Sequence, residues 1–65
     1  MKVITAVKKY INTDKEIFIE AVKDGAFVRV DKEKDFTIEF GSRIADSKVH
    51  HINDTESPEA VTIYI

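Results

Sequence analysis

The chain has no cysteine among its 65 residues. No disulfide staples it, and no thiolate is present to hold zinc or an iron–sulfur cluster. Glycine occurs twice and proline once, so no glycine-rich phosphate-binding loop can be assembled. Ser42, Ser47 and Ser57 lie in no Gly-x-Ser-x-Gly elbow. No apolar run approaches the roughly 20 residues that a membrane helix needs. The start of the chain, MKVITAVKK, holds no apolar stretch long enough for a secretory leader. These absences set the expectation of a cytoplasmic protein, consistent with a reducing compartment. Asn53-Asp54-Thr55 matches the N-glycosylation pattern, but without an export signal the match carries no weight.

What is present suffices for a core. Apolar residues make up 43% of the chain, which argues against disorder. The length allows one domain, residues 1–65. A chain of this size buries only about 60% of its unfolded surface, so its interior is thin and leans on tight packing or on a partner. Net charge is −2, which exerts no overall pull on nucleic acid. The charge is uneven: residues 1–15 hold four lysines against one aspartate, and the acidic excess lies entirely in residues 16–65.

The strongest local signal is EIFIEAVKDGAFVRV, residues 16–30. Asp24-Gly25 is a favoured two-residue hairpin loop, because a type I′ turn needs positive φ at both central positions. A turn there predicts a register in which Lys23 faces Ala26, Val22 faces Phe27, Ala21 faces Val28, Glu20 faces Arg29 and Ile19 faces Val30. Opposite charges then meet across the strands, with apolar pairs on the other face, each pair contributing about 0.2–1 kcal/mol. Phe36-Thr37-Ile38-Glu39-Phe40 alternates at period two and extends this to a three-stranded meander. Its predicted core face carries Ile17, Ile19, Ala21, Ala26, Val28, Val30, Phe36, Ile38 and Phe40.

Residues 2–10 alternate well enough for a first strand, residues 48–52 for a short one, and Val61 to Ile65 for a last one. Asn53 to Glu59, with Pro58, reads as a polar loop. The fold expected is all-β: a small antiparallel meander of five to six short strands closing into a partly open barrel or sandwich. The competing layout is α+β, with a helix at residues 14–24. Thr13-Asp14-Lys15-Glu16 has the form of a capping box, and Gly25 suits a helix end. The β-branched residues Ile17, Ile19 and Val22 favour the strand.

Chemistry is sparse. His50 and His51 are adjacent, and on a strand adjacent side chains point to opposite faces. His51 with Asp54 or Glu56 offers nitrogen and oxygen ligands, but the spacing matches no zinc pattern, so no metal is expected. The acidic residues fall in charged loops rather than in apolar runs that would raise a pKa for acid catalysis. Neither enzymatic activity nor a cofactor is expected.

Two surfaces remain. Residues 17–22 are apolar on both strand faces apart from Glu20, which exposes Phe18, Val22 and Phe27 unless a second layer covers them. The chain closes on the apolar strand ending at Ile63 and Ile65, which must complete the sheet or pair with a neighbour. The function expected is a non-enzymatic protein-interaction module, a homodimer included, that binds through Phe18, Val22, Phe27, Arg29, Ile63 and Ile65. The alternative is a small nucleic-acid-binding barrel with Lys2, Lys8 and Tyr10 on one face of the first strand.

Overall fold

Val3, Ala6, Val7 and Tyr10 follow the i, i+3, i+4, i+7 spacing of a helical face. In the computed structural model, which describes residues 1–65, they are the buried residues of helix α1 (Val3–Tyr10). The alternation of Val3, Thr5 and Val7 suggested a strand instead. The helix prevails because it gathers every one of those buried positions on one side, with Lys8 and Lys9 in its last turn, where cations complement the helix dipole.

Thr13 closes this helix rather than opening another. Its hydroxyl donates to the Tyr10 carbonyl at 2.7 Å and accepts from the Lys15 amide at 3.2 Å. No helix forms at residues 14–24. Strand β1 (Glu16–Ala21) begins at once and returns as β2 (Ala26–Arg29).

The hairpin is the expected one, with a different loop. Residues 22–25 form the turn, and Gly25 alone takes a positive φ, +67°. Its amide donates to the Ala21 carbonyl at 2.9 Å. The register pairs Ala21 with Ala26, Ile19 with Val28, Glu20 with Phe27 and Phe18 with Arg29. This is two residues from the register of a two-residue loop. An even slip leaves every side chain on its predicted face but changes its neighbours. Arg29 reaches Glu16, at 3.4 Å, and not Glu20.

Residues 36–40 are helical, not extended. Asp35 caps helix α2 (Phe36–Phe40) by accepting from the Ile38 amide at 3.1 Å. Gly41, with φ +87°, ends it and leads into α3 (Ser42–Ala45). Phe36 and Phe40 then meet at i, i+4, their ring centroids 4.9 Å apart. Ile38, expected in the core, is 85% exposed.

Strands β3 (His51–Asn53) and β4 (Ala60–Tyr64) complete a four-stranded sheet of order β2-β1-β4-β3. The central pair, β1 and β4, runs parallel, and each is flanked by an antiparallel edge strand. The molecule is therefore α+β, with three helices and a mixed sheet, and not an all-β barrel or sandwich of five to six strands. No helix is long and apolar enough to cross a membrane.

The core lies on one side of the sheet. Ile17, Ile19, Val61 and Ile63, each at most 3% exposed, face the helices and pack with Val3, Ala6, Val7, Tyr10, Val30, Phe36 and Ala45. Burying an aliphatic or aromatic side chain of this size contributes about 1.5–3 kcal/mol. A clip fixes one edge of the core. The Tyr10 hydroxyl donates to Asp54 Oδ2 at 2.8 Å, and Lys15 Nζ donates to the Asp54 carbonyl at 2.6 Å. Both bonds tie the end of α1 and the start of β1 to the loop that follows β3.

Candidate interaction surface

With all helices on the Ile17 and Ile63 side, the opposite face of the sheet has no second layer. Strand alternation assigns its residues. On β1 they are Glu16, Phe18 and Glu20, followed by Val22 in the turn. On β2 they are Phe27 and Arg29. The parallel register, which sets Phe18 beside Thr62 and Glu20 beside Tyr64, adds Thr62 and Tyr64. The β3–β4 register adds His51 beside Tyr64 and Asn53 beside Thr62.

Two rows run across the sheet. One reads Phe27, Glu20, Tyr64, His51, and the other Arg29, Phe18, Thr62, Asn53. Phe18 and Phe27 are diagonal neighbours, and their rings stack with centroids 5.1 Å apart and planes 16° from parallel. His51 and Tyr64 lie 5.8 Å apart, centroid to centroid. Phe27 is 55% exposed and Val22 58% exposed. Val22, His51, Asn53 and Tyr64 line a shallow depression that also reaches His50. The charged side chains on this face are Glu16, Glu20 and Arg29. It therefore presents stacked aromatics and aliphatic surface with a small acidic excess.

Phe18, Val22, Phe27 and Arg29 thus share one face, as the alternation of β1 and β2 predicted. Ile63 does not join them. It is fully buried among the helices, because alternation along β4 turns Val61 and Ile63 to the helix side and Thr62 and Tyr64 to the other. Ile65 lies on the helix side too, where it lines an apolar cavity of about 160 Å³ with Ile19, Val28, Phe40 and Ile44. The residues missed were Tyr64 and His51. Their alternation was visible, but their place beside β1 depends on a parallel pairing between distant segments.

The residues weighed for nucleic acid do not converge. Tyr10 is 6% exposed and offers no free ring for stacking. Lys2 precedes α1 and pairs with Asp46 at 3.5 Å. Lys8 shares a cleft of about 280 Å³ with Lys32 and Lys34. There Lys32 donates to the Thr13 carbonyl at 2.6 Å, and Lys34 pairs with Glu39 at 3.7 Å. No group of three or more His, Asp or Glu side chains is placed to hold a metal ion.

Two groups have shifted pKa values, and they share one bond. The hydrogen bond from Tyr10 lowers the Asp54 pKa, helped by the charges of Lys15 and Lys9 and opposed by partial burial. The same bond raises the Tyr10 pKa, with burial and the Asp54 charge acting in the same direction. This pair lies at the helix side and clips structure rather than facing the open sheet. Comparison of the chain with protein-family models, with curated proteins and with solved structures finds no match.

Proposed function

We propose that this domain is a non-enzymatic protein-interaction module that receives its partner on the open face of the sheet. The observation that carries this reading is the stacked Phe18–Phe27 pair, set beside Val22 and Tyr64 on a face with no covering layer. Aromatic side chains give large contact area at low entropic cost and are enriched at interface centres. The rim supports a protein partner over a polyanion. Glu16 and Glu20 outnumber Arg29, and Arg29 is already paired with Glu16, so a phosphate backbone would meet net repulsion. A partner with an apolar centre and a basic margin complements this surface.

The test compares proteins captured from native lysate by the parent chain and by three variants. Val22→Glu and Phe27→Ser alter the open face, and Ile38→Ser alters an exposed apolar residue elsewhere. The reading predicts a partner retained by Ile38→Ser and lost by both face variants. Identical capture by all four chains refutes it.

A further inference from the structure

We propose a second contact surface, the free edge of β2, and its occupant is a second copy of this chain. The edge follows from the hairpin register. Ile19 with Val28 and Ala21 with Ala26 are cross-strand partners, and the Val30 amide donates to the Ile17 carbonyl at 2.8 Å. Hydrogen-bonded pairs alternate along an antiparallel ladder, so Ala26, Val28 and Val30 direct their backbone groups to β1. Phe27 and Arg29 direct theirs outward, where no strand of this chain lies. No proline, lysine or bulge lies within Ala26 to Arg29, and the edge is guarded only by its four-residue length and the charge of Arg29.

The strand is complementary to itself. A two-fold axis through the Val28 pair sets Phe27 opposite Arg29 of the second copy, twice by symmetry. All the outward N–H and C=O groups of both residues are then used, in four hydrogen bonds of the antiparallel kind. Each Phe27 ring gains a guanidinium beside it. On the helix side, Val28 is 40% exposed and borders the apolar cavity lined by Ile19, Phe40, Ile44 and Ile65. The Val28 side chains of the two copies meet beside that cavity. The two sheets become one continuous sheet, with the two open faces side by side.

Equilibrium sedimentation of the full chain at low salt, from micromolar to millimolar concentration, tests the proposal. A reversible monomer–dimer equilibrium is expected. Arg29→Pro removes an outward amide that β1 does not use, which an edge position tolerates, and is expected to weaken the dimer about tenfold with an unchanged circular dichroism spectrum. Val28→Lys sets a lysine opposite its own copy across the two-fold axis, at a position 40% exposed in the monomer, and is expected to weaken the dimer about fivefold by like-charge repulsion. A chain that remains monomeric throughout overturns the proposal. So does a dimer indifferent to Val28→Lys, whether or not Arg29→Pro folds. The partner-binding reading fails separately, because Val22→Glu lies off this edge: it disturbs partner capture while leaving the dimer intact.

Discussion

Ile63 and Ile38 exchange the roles that their strand patterns suggest, and substituting each by alanine measures the exchange. Ile63 is fully buried between β1, β3 and the helices, whereas Ile38 is 85% exposed on α2. Truncating a buried isoleucine removes transfer free energy and leaves a cavity, at a cost of about 2–5 kcal/mol. A domain of this length has a total stability of roughly 3–10 kcal/mol at typical per-residue values. Ile63→Ala therefore removes a large fraction of the whole. With about 4–8 °C per kcal/mol for a domain of this size, its melting temperature is expected to fall by about 10 °C or more, or the chain to be unfolded at 25 °C. Ile38→Ala removes little buried area and replaces a β-branched residue with a better helix former, so its change is expected to stay within about 0.5 kcal/mol. Urea denaturation followed by circular dichroism gives both values. Equal destabilisation by the two substitutions refutes the placement of the core, and a larger effect at Ile38 restores the meander.

Gly25 and Gly41 both have positive φ, +67° and +87°, and only the first falls within the narrow left-handed range that other residues visit. Gly41, at φ +87° and ψ 158°, occupies a region essentially reserved for glycine, and Gly41→Ala is expected to cost about 1–3 kcal/mol by thermal melt. Gly25, at φ +67° in the hairpin turn, suits asparagine better than other non-glycine residues, so Gly25→Asn is expected to cost less than Gly41→Ala, and equal losses at the two sites contradict the turn assignment. The Tyr10–Asp54 bond predicts opposite pH dependences at the two ends of the scale. Asp54, depressed when folded, contributes stability that is full above the ordinary aspartate value of 3.8 and is lost as pH falls through the lower folded value. Tyr10, raised when folded, contributes stability that is full below its ordinary value of 10.0 and is lost as pH rises through the higher folded value. Tyr10→Phe is expected to flatten the acid limb of a stability–pH curve and to remove the tyrosine contribution at the alkaline end. An acid limb identical to that of the parent chain contradicts the bond.

Much of the candidate surface was legible from local pattern. Alternation across residues 16–30, with a glycine turn between, was enough to separate Phe18, Val22, Phe27 and Arg29 from Ile17 and Ile19, and an even register slip cannot undo that separation. The helices were harder because their segments satisfy two periods. Val3 and Val7 are compatible with either, and α2 is a single turn and a half whose evidence is its caps, Asp35 and Gly41, rather than its apolar spacing. A five-residue apolar segment carries too few repeats for periodicity alone to decide. The β1–β4 pairing was illegible for another reason. Parallel strands need a crossover, and no local turn signal fixes their register. With β4 beside β1, alternation turns Ile63 to the core and Tyr64 to the open face.

The one-sided sheet is the claim on which the partner surface rests, and paramagnetic broadening of side-chain NMR signals by a soluble gadolinium chelate tests it most directly. Along β1 and its following turn, the account predicts strong broadening at Phe18 and Val22 and protection at Ile17 and Ile19, with Tyr64 broadened and Ile63 protected on β4. Protection of both sets would show a second covering layer and would contradict the account.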